Sequence, residues 1–238
     1  MILVIDTATS QAVVGLGEDR TDGEDRAAAT ARRIVARSWP VRHQHGETLL
    51  PTLVAFLAEQ GASLAGLRGI VVGTGPGAFT GLRVGLATAK GLAHGLDLPI
   101  VGVSTAEALI DAARESDGPH TGVDAGRAIL LLLPAGPNDR VAVRPGQPPE
   151  LLPGGTEPAI DDGDQLVAVD LDGRAPAGAV ARGDAARDGL AAALFRIGGA
   201  RLTAGEPDDL AGLVPEYVTL PRGIRASSGE VTWSRDHR

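Results

Sequence analysis

Apolar and polar positions change rhythm several times along the chain. "ILVID" (Ile2–Asp6) is a short continuous apolar run, the mark of a buried strand. "QAVVGLG" follows after a short turn and predicts a hairpin partner. The stretch 18–30 is polar and acidic and reads as a surface loop. "RRIVARSWP" (32–40) predicts a third strand. Alternation with helical periods then begins. "GETLLPTLVAFLAEQG" predicts a helix, "GIVVGTG" a strand, "GLRVGLATAKGLAHGL" a helix, "PIVGVS" a strand and "TAEALIDAARE" a helix. The order βββαβαβα needs helix-bearing crossovers between parallel neighbours, so the predicted sheet is mixed.

After residue 118 the helical period fades, and Gly, Pro and Asp become frequent. "RAILLLLPA", "RVAVRPG" and "DQLVAVDLDG" predict three more strands. "GDAARDGLAAALFRIGG" predicts a helix opening at Asp184, and "PDDLAGLVPEYVTLP" a short helix with a closing extended segment. The expected organisation is a lobe over 1–106, a smaller lobe over 107–185, a segment 186–221 that packs back on the first lobe, and a polar, mobile tail over 222–238.

The stretch "GTGPGAFTGLRVGLATAKGLAHGL" (73–96) joins a strand to a helix through a glycine-rich loop. That context suits a phosphate cradle, because backbone N–H groups at a helix N-terminus stabilise anions. The details favour a tight corner. A Walker loop ends in Gly-Lys-Ser/Thr, and here Gly81-Leu82-Arg83 stands in that place. A dinucleotide site wants an acid at the end of the next strand, and "PIVGVS" ends in Ser104. Pro76 also removes a donor from the loop.

Two helix faces stand out. Gly81, Gly85, Ala89 and Ala93 are spaced four apart and form a ridge almost without side chains, which permits close helix packing. On the preceding helix Leu49, Leu50, Leu53, Val54 and Leu57 form one apolar stripe, with Phe56 off it. Both faces fit an ordinary core. They equally fit a helix-pair seam with another subunit, and symmetric pairing would give four helices.

Composition narrows the classes. The chain has 238 residues, 43% of them hydrophobic and 3% aromatic, enough to bury a core built from small side chains. The net charge of -8 argues against tight nucleic-acid binding by the chain alone, with only a weak cluster at Arg32, Arg33 and Arg37. The absence of cysteine excludes thiolate catalysis and zinc–thiolate sites. "MILVIDTATS" lacks the charged and apolar regions of a signal peptide, and no window reaches a membrane span. The expected location is the cytoplasm.

"ILVIDTATSQAVVGL", "HGETLLPTLVAFLAEQG", "GIVVGTGPGAFTGLRVGLATAKGLA" and "IVGVSTAEAL" together resemble the bacterial TsaB (YeaZ) family. The resemblance is strong over 1–109 and weaker at "ARGDAA" and "LVPEYVTLP". It implies an α/β fold of the actin-like ATPase class (ASKHA, ribonuclease-H-like), two-lobed with mixed sheets and a reduced second lobe. It implies a scaffold role, without a catalytic site, in making threonylcarbamoyladenosine on tRNA. The implied partners are a metal-binding catalytic paralogue of the TsaD type and a TsaE-type ATPase, with a homodimer when alone and tRNA reached only through the complex. ATP or ADP would sit at the subunit interface. The family pairs through helices corresponding to 46–60 and 79–94, so the interface residues are Leu49, Leu50, Leu53, Val54, Leu57, Gly81, Arg83, Gly85, Ala89, Lys90 and Ala93. Asp6, Thr7, Gly75 and Gly77 would lie near any nucleotide.

The paralogue carries two metal-binding histidines four apart; Thr105 and Leu109 occupy those positions here, and Glu107 alone remains. Its second lobe opens with a glycine-rich loop, where this chain reads "VDAGRAILL", inserting Gly126 before Arg127. The alternative function is a stand-alone actin-like ATP-dependent kinase or hydrolase using Asp6 and the 73–81 loop. Among other candidates, His43, His45 and Glu47 fit a helix start better than a metal site. Asp161, Asp162 and Asp164 beside Gly163 read as a solvated turn, and His94 as a helix-end cation.

Overall fold

The computed structural model describes residues 1–18, 34–41, 45–116 and 128–218. The acidic loop, Arg32, Arg33, His43, the side chain of His45, Arg127 with its glycine-poor loop, and the tail 222–238 lie outside them.

Strands β1 (Ile2–Asp6), β2 (Gln11–Gly17), β3 (Ile34–Pro40), β4 (Gly69–Gly73) and β5 (Ile100–Val103) form one sheet in the order β3-β2-β1-β4-β5. The first three pair antiparallel, and β1, β4 and β5 run parallel. Helices α1 (His45–Glu59), α2 (Phe79–Leu96) and α3 (Thr105–Ser116) alternate with them. A second sheet, β8-β7-β6-β9, comprises β6 (Ile129–Pro134), β7 (Arg140–Val143), β8 (Glu150–Leu152) and β9 (Gln165–Ala168). Its β6 and β9 are parallel and the other pairs antiparallel. This is the mixed-sheet α/β architecture that the pattern predicts. The three-residue β8, set among Pro and Gly, left no periodic signal.

β1 shows why the central strands read as continuous apolar runs. Successive side chains point to opposite faces. Leu3 and Ile5 join Leu49, Leu53, Phe56, Leu57 and Leu86 under α1 and α2. Ile2 and Val4 join α3, α5 (Leu190–Thr203) and the second sheet through Leu131, Val167, Leu194 and Phe195. The two sheets thus share one apolar core, with α3 and α5 between them. Gly17 makes room for the largest of these side chains: a methyl there would lie 2.1 Å from the Phe195 ring. A third cluster (Leu130, Leu132, Ala168, Ala179) lies on the other face of the second sheet, where α4 (Ala177–Asp188) covers it.

Three local expectations change. The stretch 183–199 is not one helix opening at Asp184. α4 begins at Ala177, and Gly189 separates it from α5. α4 buries only Ala179, Gly183 and Ala186, too few apolar positions to register as a period. Its close approach to β9 needs Gly183, where a Cβ would stand 1.9 Å from Ala168 O. The segment 207–218 holds no helix and crosses the surface as irregular chain. Asp164 is not a solvated turn residue. Its side chain is only 3% exposed and pairs with Arg144 at 2.7 Å, while Asp161 N–H donates to it at 2.9 Å. These contacts hold its carboxyl below the ordinary range.

Candidate functional site

The glycine-rich loop after β4 closes on the β1–β2 turn. Asp6 ends β1 with no exposed surface. Ala8 N–H donates to Asp6 Oδ1 at 2.9 Å, and Thr105 Oγ1 donates to Asp6 Oδ2 at 2.7 Å. Thr105 Oγ1 in turn accepts from Gly75 N–H at 3.1 Å. Burial pushes the Asp6 carboxyl up to about 6 against the lowering effect of the Thr105 and Ala8 hydrogen bonds. Thr7 Oγ1 donates to Gly81 O at 2.7 Å, and Ala78 N–H to Ala8 O at 2.8 Å. A Cβ at Gly77 would meet Ala8 O at 2.2 Å, and Gly75 has φ +107°, a conformation that favours glycine.

The structure therefore brings Asp6, Thr7, Gly75 and Gly77 together in a packed corner. Both Asp6 oxygens already hold donors from the chain itself. Thr105, at one of the paralogue's histidine positions, is spent on Asp6. Leu109, at the other, is fully buried in the core, and Glu107 faces a cleft.

The α1–α2 residues divide by depth. Leu49, Leu53 and Leu57 are buried against the sheet, and Phe56 joins them instead of lying off their face. Positions 49, 53, 56 and 57 follow the i, i+4, i+7, i+8 spacing of one face. Leu50 and Val54 point away and are 47% and 54% exposed. Gly81, Gly85, Ala89 and Ala93 all lie on the buried face of α2. A Cβ at Gly85 would meet Thr7 Oγ1 at 2.1 Å, so that ridge serves contact within the chain. The open side of α2 carries a second small-residue row, Ala87, Gly91 and Gly95, also spaced four apart and exposed. Among the described residues a Cβ on Gly91 or Gly95 would meet nothing within 4 Å. Sequence spacing shows both rows equally; burial tells them apart.

Arg83 and Lys90 are engaged by the C-terminal segment. Arg83 lies 3.8 Å over the Phe79 ring, and its Nε donates to Tyr217 Oη at 2.8 Å. Lys90 Nζ donates to Leu213 O at 3.1 Å. His94 is exposed near the end of α2. A second tie joins the β1–β2 turn to the other sheet: Ser10 N–H donates to Asp170 Oδ2 at 2.6 Å and Arg187 binds Asp170 Oδ1 at 2.7 Å. Local spacing gives no sign of Asp170, of Arg187 or of Glu216, which accepts from Thr74 Oγ1, because each acts on a partner more than a dozen positions away.

No helix among the described residues is long and apolar enough to cross a membrane. Residues 40–141 match the family model described as TsaD, tRNA N6-adenosine threonylcarbamoyltransferase. The chain is 35% identical over 117 residues to the tRNA threonylcarbamoyladenosine biosynthesis protein TsaB of Escherichia coli, covering 49% of this chain and 46% of that protein. It is 42% identical over 71 residues to the TsaB of Haemophilus influenzae, covering 30% of each. The matched stretches thus span less than half the length of these relatives. Over nearly its whole length the chain shares the fold of YeaZ from Pseudomonas aeruginosa, with TM-score 0.63, 22% identity and coverage of 91% of this chain and 99% of that one. The architecture is accordingly the actin-like ASKHA fold, and over part of its length the chain is similar in sequence to TsaB proteins.

Proposed function

We propose that this chain is a non-catalytic scaffold subunit in tRNA threonylcarbamoyladenosine biosynthesis, pairing with a TsaD-type catalytic paralogue. The names of its relatives support the pathway. The observation that carries the scaffold reading is the outward face of α1 and α2. Leu50 and Val54 stand exposed there, with Gly91 and Gly95 in open space. A glycine inside a helix costs roughly 0.5–1 kcal/mol relative to alanine. Among the described residues nothing packs there to offset that cost at Gly91 and Gly95, whereas a helix from another subunit could approach closely over them. The interface of this reading is that face, backed by Leu49, Leu53, Leu57, Gly81, Gly85, Ala89 and Ala93 and edged by Arg83 and Lys90.

The same proposal includes a TsaE-type ATPase joining the pair, a homodimer when the paralogue is absent, tRNA reached through the complex, ATP or ADP at the subunit interface, and a cytoplasmic location. It treats 1–106 and 107–185 as two lobes, with 186–221 packed back on the first. The Asp6 arrangement favours the scaffold over the stand-alone ATP-dependent enzyme, since the carboxylate has no exposed surface and is already tied to Ala8 and Thr105 within the corner.

Val54→Glu and Gly91→Arg test the reading. Both sites face open solvent, so thermal midpoints should stay within about 2 °C of the parent, as for ordinary surface changes. Affinity for the purified paralogue, measured by calorimetry, should fall by ten-fold or more, because a charge buried at a helix seam lacks a partner. Two variants that bind normally would sink the interface. ATP turnover by the isolated chain, abolished in Asp6→Ala, would favour the enzyme.

A further inference from the structure

Two hydroxyls converge on a single carboxylate beside the carboxyl ends of β4 and β5. Thr74 Oγ1 donates to Glu216 Oε1 at 2.5 Å, and the single Ser104 hydroxyl proton is placed between Glu216 Oε2 at 3.1 Å and Gly75 O at 3.0 Å. Glu216 N–H also donates to Thr74 O at 2.8 Å. Thr74 is buried and Ser104 partly buried, yet Glu216 itself is exposed. A surface glutamate on irregular chain therefore reaches into a niche whose donors belong to the sheet. The carboxyl ends of parallel strands are where open α/β sheets take their ligands. In this chain that place is filled from within.

Glu216 also divides free space. A cleft of about 500 Å³ and another of about 430 Å³ both have Ser104 and Glu216 in their walls. The larger has an apolar floor that includes Pro76, Ile110, Val143 and Ile197. Its rim carries Glu107 and Arg114, and Asp111 there is paired with Arg196, so the charges nearly balance and no excess of cations favours a dianion such as phosphate. Arg144, on the same rim, is already committed to Asp164. The niche donors are neutral hydroxyls, suited to a single negative charge.

We propose that Thr74 and Ser104 form a receptor for a small-molecule monocarboxylate with an apolar body, and that Glu216 is a tethered occupant which such a ligand displaces. The free carboxylate takes the two hydroxyls, its apolar part lies over Pro76, Ile110 and Ile197, and the 208–218 segment lifts at Glu216. The inference stands apart from the partner assigned to the α1–α2 face.

Butyrate is the probe, with acetate as the short analogue and chloride at matched ionic strength as the blank. In Glu216→Ala the niche is vacant, so butyrate should raise the thermal midpoint by several degrees and saturably, acetate less, and chloride not at all. The half-saturating butyrate concentration should be at least ten-fold lower in Glu216→Ala than in the parent, where the tether competes. Adding Thr74→Val should abolish the response. A Glu216→Ala midpoint indifferent to carboxylates, or a response that survives Thr74→Val, overturns the proposal. If Glu216→Ala does not fold, amide hydrogen exchange on the parent decides. Exchange at Glu216 N–H should quicken with butyrate while core amides such as Val72 hold steady, and an unchanged rate overturns the proposal equally.

Discussion

Gly73→Ala should lose about 3–5 kcal/mol of folding stability, the largest effect of any single methyl addition in the glycine-rich corner. The added Cβ would lie 1.7 Å from Asp6 Oδ2 and 2.8 Å from Thr105 Oγ1. Neither neighbour is the loose end of a flexible side chain. Asp6 is pinned by Ala8 and Thr105, and Thr105 by Gly75. Relief requires breaking the Asp6–Thr105 hydrogen bond, which leaves a buried carboxylate short of a donor, a loss of roughly 1–3 kcal/mol and more for a charged group, to which overpacking adds about 1–3 kcal/mol. Denaturant unfolding of parent and variant measures it. Gly91→Ala is the control. Its Cβ meets nothing, and it should gain roughly 0.5–1 kcal/mol from helix propensity. A Gly73→Ala loss below about 1 kcal/mol would mean that the corner yields easily, and the packing account of the loop would fail.

Asp6→Asn should stabilise the protein at neutral pH and remove a slope from its pH profile. The Asp6 carboxyl is raised from 3.8 to about 6, chiefly by burial. Between those values the folded chain keeps a proton that the unfolded chain releases. Stability therefore falls as pH rises through the window from about 4 to 6, by about 1.4 kcal/mol per unit and about 3 kcal/mol in all. Asparagine carries no charge to desolvate, and its carbonyl still accepts from Ala8 N–H. The stability difference between Asp6→Asn and the parent should thus climb by about 3 kcal/mol between pH 4 and pH 7.5. Denaturation at half-unit pH steps gives that difference directly. A flat difference would mean that Asp6 ionises freely and reaches water. A variant that also pairs normally with the paralogue would mark Asp6 as a structural carboxylate of the corner.

Where sequence reading worked, the signal was local. β1 and β4 are buried at every position, with Asp6 the one polar residue, because helices cover both faces of the sheet. The glycine-rich corner was legible because close approach and φ above zero restrict residue choice at the position itself, as at Gly75. Where reading failed, the cause was distant. α4 escaped notice because alanine and glycine suffice against β9. Asp164 looked like a turn residue because Arg144, which covers it, lies 20 positions earlier. Ser104 reads in sequence only as a missing acid, and its hydroxyl meets Gly75 O, 29 positions earlier, and Glu216, 112 positions further on.

The sequence by itself determined the order of strands and helices in the first half, the alternation that buries both sheet faces, and the tight turn between β4 and α2. Each depends on periodicity or backbone conformation, which neighbouring residues impose on one another. Tertiary structure alone decided which row of small residues on α2 is spent inside and which stays open. Both rows repeat every four residues, and only the placement of Thr7 against Gly85 separates them. It also decided that Glu216 closes the niche at Thr74 and Ser104, because a hydrogen bond between residues 142 positions apart leaves no trace in any local pattern.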